Sequence, residues 1–307
     1  MTQREQDLRV LRENVSLLDR RIFRETQKRL PFLADLAALT LDRPEGKEHE
    51  PPLLLMRRTV HEGSLQDKQG VKEDVSAAKR TVQQALSALD RTVYVNACLS
   101  LLKNSKDKPT LSDFFPTVQL ETARIAYVKN PYTDEAYESF AATLPTPTVH
   151  YADSFREACN EVASKEADFC ILPYGNSAGQ LTSFSELAER HSLYICALCR
   201  VFHADGTDVT RFALYGHRLP MPSDEDGLHL RFSFLCADAG VLAQHLNAAV
   251  LMGVPIEETR AIPCVANEGA LLCTATAAPP SDQLLPFLVY LSVFAEGASF
   301  HGLYKEI

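Results

Sequence analysis

Apolar positions spaced three and four residues apart dominate the first third of the chain. This spacing places one continuous apolar stripe along a helix within residues 4–40. The stripe positions are Leu8, Leu11, Val15, Leu18 and Ile22. A short helix is predicted for Leu53–Val60 because two prolines precede it, and the helical spacing returns over residues 71–104. The pattern therefore predicts an all-helical region.

The period changes after Thr122, where short apolar runs alternate with helical patterns. The predicted strands are Arg124–Val128, Thr148–Tyr151, Ala167–Leu172, Leu193–Val201 and Val209–Tyr215, and the predicted helices are Thr133–Ala142 and Ser154–Ala163. This alternation is typical of a mostly parallel α/β layer covered by helices. Ligands of such sheets bind beyond the carboxyl ends of the strands. The loop after Leu172 is therefore a candidate binding region.

A third pattern begins after residue 226, where the order of elements is β-α-β-β-α-β. The predicted strands are Leu228–Leu235, Ile256–Pro263, Ala270–Ala275 and Ser299–Tyr304, and the predicted helices are Gly240–Met252 and Ser281–Phe294. This order is that of the ferredoxin-like split βαβ unit.

The net charge of the chain limits its partners. The 307 residues carry a net charge of −9, and 46% of them are hydrophobic. The composition is that of a globular protein, and the negative charge disfavours nucleic acid as a main partner. Apolar runs such as Leu284–Ala295 are too short to span a bilayer, and the charged stretch Met1–Arg12 predicts no secretory signal. Eight cysteines without such a signal favour a cytoplasmic protein with reduced thiols.

The sequence contains no recognisable motif for binding a metal or a cofactor. Cys196 and Cys199 form one CxxC pair, which falls in a predicted buried strand without a second pair at zinc spacing. The histidines form no HExxH motif, and neither a dinucleotide fingerprint nor a phosphate loop is present. We therefore expect no metal and no cofactor.

Two strings in the C-terminal pattern resemble the bifunctional chorismate mutase–prephenate dehydratase family. Gly240-Val241-Leu242 matches the family's GAL string, and Glu258-Thr259-Arg260 matches its ESRP string. The resemblance implies a regulatory ACT domain that binds phenylalanine as an effector through these six residues. Gly240 at a helix start would leave backbone N–H groups open to the carboxylate of the amino acid.

The middle of the chain carries two further strings of this family. Asn176 and Ser177 match an Asn-Ser motif, and Thr210-Arg211-Phe212 matches a TRF motif. The resemblance implies that Thr210 is catalytic and that the other four residues bind prephenate. The family's second lobe, however, is replaced by the short turn between Val201 and Val209. We regard this loss as evidence against dehydratase activity, because half of the cleft wall that excludes water is missing.

The helical region resembles the mutase part of the same family. The string LRENVSLLDRRI places Arg12 on a matching position, and Arg29 stands where the family has a second active-site arginine. The resemblance implies that both arginines hold the carboxylates of chorismate. The family's active-site lysine falls near Thr40 and is absent. A mutase site and a purely dimerising helical domain are both compatible with these residues.

The sequence thus predicts an α+β multidomain protein. Residues 1–106 form a helical chorismate-mutase-like domain, residues 121–218 a reduced periplasmic-binding-protein-like α/β domain, and residues 226–307 a ferredoxin-like ACT domain. One functional hypothesis is a mutase–dehydratase-like protein of phenylalanine biosynthesis that acts on chorismate or prephenate. The other is a catalytically inactive, amino-acid-sensing regulator. The apolar stripe of the first helix predicts a homodimer or a larger assembly.

Overall fold

The computed structural model describes residues 28–41, 51–62, 87–176, 183–202, 209–220, 226–264 and 270–307. The chain divides into two compact units, one of residues 1–108 with 292–294 and one of residues 109–291 with 295–307. Arg12 and the predicted stripe of residues 8–22 lie outside the described residues. None of the helices in these ranges is long and apolar enough to cross a membrane.

The first unit is helical wherever it is described. Helix α1 covers residues 28–41, α2 Pro52–Glu62 and α3 Ala88–Leu102. The short helix predicted after the two prolines is confirmed. Helix α3 begins with a capping box, in which Ser87 Oγ accepts the Asp90 N–H and Asp90 Oδ2 accepts the Ser87 N–H. The Tyr94 hydroxyl donates a hydrogen bond to Thr40 Oγ1 (3.0 Å), and this bond connects α3 to α1 within the unit.

The second unit alternates strands and helices from residue 117 onwards. Its strands are β1 (Thr117–Val118), β2 (Ala123–Tyr127), β3 (Pro147–Tyr151), β4 (Phe169–Asn176), β5 (Tyr194–Phe202), β6 (Val209–Gly216), β7 (Leu219–Pro220), β8 (His229–Cys236), β9 (Ile256–Pro263), β10 (Leu271–Ala277) and β11 (Glu296–Glu306). Its α-helices are α4 (Pro131–Ala141), α5 (Phe155–Ala163), α6 (Ser183–Arg190), α7 (Ala239–Leu251) and α8 (Ser281–Phe294). The predicted strands and helices are all found, with small shifts at their ends, whereas α6 was not predicted.

Nine of these strands form one mixed sheet. Its order is β3-β2-β4-β6-β5-β11-β8-β10-β9, and β1 pairs separately with β7. Strand β2 is parallel to β3 and β4, but β6 is antiparallel to both of its neighbours. The prediction of a mostly parallel layer is therefore wrong at β6. Only residues 203–208 separate β5 from β6, which is too short for the crossover that parallel neighbours need.

The C-terminal part of the sheet has the predicted β-α-β-β-α-β order. Its strands are arranged β11-β8-β10-β9 with antiparallel neighbours, which is the ferredoxin-like topology. Strand β11 also pairs in parallel with β5, where Gly302 lies opposite Ile195. The sheet therefore runs without interruption through the two regions that the sequence assigns to separate domains.

Helices cover both faces of the α/β half of the sheet. On one face, α5 and α6 pack over a core that includes Tyr174, Ala213 and Tyr215. On the other face, α4 packs over a core that includes Phe169 and Phe212. Alternate side chains of β4 and β6 thus belong to different cores, as the pleat of a strand requires.

Candidate functional site

A polar groove of about 340 Å³ lies where β4, β5 and β11 end and β6, β8 and β9 begin. Because β4, β5 and β11 run in the same direction, this is the carboxyl edge of the parallel strands, where the sequence places a binding region. The groove is lined by Tyr174, Leu198, Arg200, Arg211, His229, Glu257, Glu258, Thr276, Tyr304 and Glu306. Its lining therefore combines cations, carboxylates and two tyrosine rings.

The sheet curves around this groove. Strands β4 and β8 are four steps apart in the sheet order, yet the Arg231 guanidinium carbon on β8 lies 5.7 Å from the ring centre of Tyr174 on β4. Adjacent strands are about 4.8 Å apart, so a flat sheet would place these strands about 19 Å from each other. The curvature brings side chains from both halves of the sheet to one place.

Two arginines from neighbouring strands stand side by side in the groove. Arg200 and Arg211 are opposite each other in the β5–β6 register. Arg200 is engaged by Glu306 through two bonds of 2.7 and 2.9 Å, and the hydrogen bond from Arg200 lowers the pKa of Glu306. Arg211 lies 5.2 Å from the ring centre of Tyr174. Its charge helps to lower the pKa of Glu306, but it forms no ion pair with a carboxylate in the described part of the chain. Arg211 is therefore the groove cation that is available to an anionic ligand.

A buried arginine contacts three of the residues that line the groove, namely Tyr174, Thr276 and Glu258. Arg231 is 5% exposed, and its Nη1 donates a hydrogen bond to Thr276 Oγ1 (3.1 Å). Together with Arg211 it brings two guanidinium groups within 6 Å of the Tyr174 ring, an arrangement that favours cation–π attraction. Burial raises the pKa of Tyr174, although both arginines act in the opposite direction. Tyr174 therefore remains a neutral phenol at physiological pH.

Two consecutive carboxylates line the groove from strand β9. The β9–β10 register shifts between Thr276 and Ala277, which leaves Glu257 as the extra residue of a bulge beside Glu258. Glu257 Oε2 lies 2.8 Å from His229 Nδ1, and Glu258 Oε2 lies 3.7 Å from Arg231 Nη1. Their side chains are 43% and 41% exposed, so both carboxylates remain accessible to a ligand.

The Asn-Ser and TRF strings meet at the same edge of the sheet. Asn176 lies opposite Thr210 in the antiparallel register of β4 and β6, although the two residues are far apart in the sequence. Ser177 lies outside the described residues. The structure differs from the prediction for Phe212, which is 3% exposed and packs in the core under α4. Successive side chains of a strand point to opposite faces, so Phe212 cannot line the groove with Arg211.

The predicted effector residues are spread over two elements. Gly240, Val241 and Leu242 lie in the first turn of α7, whose N-cap is Asp238. The Val241 N–H donates to Asp238 Oδ1 (2.9 Å), so this helix end already holds a carboxylate. The structure thus differs from the prediction of an open helix end.

The other three predicted effector residues lie on strand β9 at the edge of the sheet. Glu258 lines the groove, whereas Thr259 and Arg260 are exposed and are not part of its lining.

The arginine predicted for chorismate is engaged within the helical unit. Arg29 Nη1 lies 2.9 Å from Asp90 Oδ2, and the Asp90 side chain is 3% exposed. Asp90 is also the acidic member of the capping box at the start of α3. The Arg29 charge is therefore already compensated, and the second member of the predicted clamp, Arg12, lies outside the described residues.

Sequence reasoning missed most of the groove. The residues not anticipated include Tyr174, Arg200, His229, Glu257 and Glu306. Arg200 is the last but one residue of a predicted strand and Glu306 lies two residues beyond another, and polar residues at such positions were a usable signal of the groove. Among the described residues, no three histidine, cysteine or acidic side chains are grouped so as to hold a metal ion.

Comparisons with known proteins assign no family. No family model and no curated protein matches the chain. One matched structure, GqqA, is described as a novel type of quorum-quenching acylase. It is 20% identical over 59% of this chain and 94% of its own, with a TM-score of 0.46.

Two other matched structures are prephenate dehydratases. The one from Streptococcus mutans is 18% identical over 60% of this chain and 98% of its own, with a TM-score of 0.47. The one from Arthrobacter aurescens, in complex with L-Phe, is 12% identical over 59% and 90%, with a TM-score of 0.45. At such values the likeness carries neither an activity nor a ligand over to this chain.

Proposed function

We propose that this protein is a regulatory protein that binds an α-amino acid in the groove and does not catalyse dehydration. The observation that carries the proposal is the pairing of opposite charges in one small groove. Arg211 can hold an α-carboxylate through two parallel N–H···O bonds, and Glu257 or Glu258 can accept bonds from an α-ammonium group. Phenylalanine is the first amino acid to test, because the resemblance of the C-terminal strings implies it as the effector and Glu258, one of the six residues in those strings, lines the groove.

Two structural features argue against catalysis. Only six residues, 203–208, connect β5 to β6, and six residues are too few to form a second lobe over the groove. Dehydration needs an acid beside the departing hydroxyl and a site that excludes water. Thr210, the predicted acid, alternates with Arg211 along β6 and therefore projects from the other face of the strand.

Prephenate dehydration is the second candidate function. The adjacency of Asn176 and Thr210 favours it, since it joins two strings that resemble one dehydratase site. Under this alternative, phenylpyruvate would form from prephenate, and Thr210→Ala would abolish its formation. Under our proposal no phenylpyruvate forms, whether or not prephenate binds.

A single series of measurements separates these functions. The full chain is titrated with phenylalanine, tyrosine, leucine and lysine while its melting temperature is recorded, and prephenate is then added while phenylpyruvate absorbance is followed. We expect phenylalanine to raise the melting temperature progressively above its dissociation constant. Arg211→Gln should remove the shift.

Arg190→Gln is the matched control, because Arg190 is an exposed arginine on α6 whose only described ion pair is a 3.9 Å contact with Glu186. It should leave the phenylalanine shift intact. The proposal is contradicted if none of the four amino acids stabilises the wild type, or if phenylpyruvate accumulates.

A further inference from the structure

A second cavity, of about 450 Å³, lies at the opposite edge of the sheet from the groove. It is formed where β2 and β4 begin, where α5 ends, and where β6 turns towards β7. None of the residues discussed so far as functional lines it. The proposed function therefore does not account for the residues that line this cavity.

The floor of this cavity is apolar. Phe169 and Val162 are almost fully buried beneath it, and Val118 and Leu120 form a half-buried wall. The Phe169 ring reaches this position because residue 216 is a glycine, where an added Cβ would lie 2.7 Å from the ring. The floor is thus a packed surface that can accept an apolar body.

The rim of the cavity carries an excess of positive charge. Arg124, Lys165 and Arg218 face a single carboxylate, Asp168, and His217 stands beside them. Arg124 neutralises Asp168 through two bonds of 3.0 and 2.9 Å. Burial alone would raise the pKa of Asp168, but the hydrogen bonds from Arg124 lower it, so this carboxylate stays ionised and paired.

Lys165 and Arg218 have no compensating charge among the residues that the structure describes. Neither side chain forms an ion pair or a hydrogen bond with any described residue, in a chain whose net charge is −9. A cleft lined by one sign of charge concentrates ions of the opposite sign. We propose that this cavity binds a small organic carboxylate, with its anionic group on Arg218 and Lys165 and its apolar body against Leu120, Val162 and Phe169.

The test uses 3-phenylpropionate as the probe in calorimetric titrations of the full chain. We expect one-site binding, and we expect Arg218→Gln to weaken it about tenfold, because a charge-assisted bond is worth about 1.5 kcal/mol or more. Lys165→Gln should weaken it less, since lysine acts as a point charge. The uncharged 3-phenylpropanol should bind at least tenfold more weakly than the carboxylate, and inorganic phosphate should also bind more weakly because it lacks an apolar body.

The Arg211→Gln variant distinguishes binding in the groove from binding in the second cavity. Binding that is unaffected by Arg211→Gln and weakened about tenfold by Arg218→Gln supports the second site, whatever the outcome for amino acids in the groove. Binding lost in Arg211→Gln and kept in Arg218→Gln would overturn it, as would equal affinity for 3-phenylpropanol or the absence of binding. Arg218 and Lys165 are exposed, so both variants should keep the wild-type melting temperature.

Discussion

Single residues decide which charges in this protein are available to a ligand. Arg211, Lys165 and Arg218 form no ion pair with a carboxylate of the described chain, whereas Arg29, Arg124 and Arg200 each form one. The N-terminus of α7, near Gly240, is likewise already engaged, because Asp238 supplies the carboxylate that a ligand would bring. Charge alone is therefore a poor guide to a site unless the partner of each group is known.

His301 makes stability depend on pH. Burial, assisted by the charge of Arg231, lowers its pKa from 6.5 to about 4, and its Nε2 lies 2.7 Å from Ser233 Oγ. Between these two pKa values the unfolded chain binds more protons than the folded one, so stability falls as the pH drops below 6.5. We expect His301 to contribute about 2 kcal/mol of destabilisation between pH 7.5 and pH 5.

The measurement is urea denaturation of wild type and His301→Gln at both pH values. The variant keeps a hydrogen-bonding side chain but cannot titrate, so its loss of stability at pH 5 should be smaller by about that amount. An identical pH dependence in both proteins would show that His301 is not the group responsible.

At the level of elements, the β5–β11 pairing joins the two halves of the sheet. Gly302 lies at this junction, and an added Cβ would stand 2.7 Å from both the Cβ and the carbonyl oxygen of Ile195. Gly302→Ala must therefore separate the strands, and we expect a loss of about 2–3 kcal/mol in the free energy of unfolding. Chemical denaturation measures this change.

Gly240→Ala is the matched control for that substitution. The nearest atom to its added Cβ is Asp238 Oδ1 at 3.0 Å, the end of a side chain that can move. Alanine is also favoured over glycine in a helix. The control should change stability by about 0.5 kcal/mol or less. Equal losses for the two variants would mean that the junction at Gly302 is not tightly packed.

The local pattern of the sequence predicted where most helices and strands lie, but it did not predict which strands pair with each other. Short apolar runs and helical spacings located the strands β2 to β6 and β8 to β11 and the β-α-β-β-α-β order, but not the two-residue strands β1 and β7. Helix α6 was missed although Phe184, Leu187 and Ala188 have helical spacing, because the segment is only eight residues long. The contact of Gly302 with Ile195 joins residues more than a hundred positions apart, and no local pattern encodes it.

At the scale of the second unit, curvature of the sheet creates the candidate site. Tyr174, Arg211 and Glu258 line the groove from three different strands, and Arg231 contacts Tyr174 and Glu258 from a fourth. Only the curved sheet brings these side chains together. The strand pattern of the sequence indicated that a binding region lies at the carboxyl ends of the strands, and the TRF string indicated Arg211. The sequence could not indicate Arg231, because a buried arginine on a predicted apolar strand is recognisable only from its three-dimensional partners.

The most direct test of the account is a calorimetric titration of L-phenylalanine into the wild type, Arg211→Gln and the double variant Glu257→Gln/Glu258→Gln. Each variant removes one charged pole of the groove and keeps side chains of similar size. The account predicts one-site binding to the wild type and an affinity at least tenfold lower in both variants, because each pole holds one charged end of the amino acid. Equal affinity in all three proteins, or no binding to any of them, would contradict it.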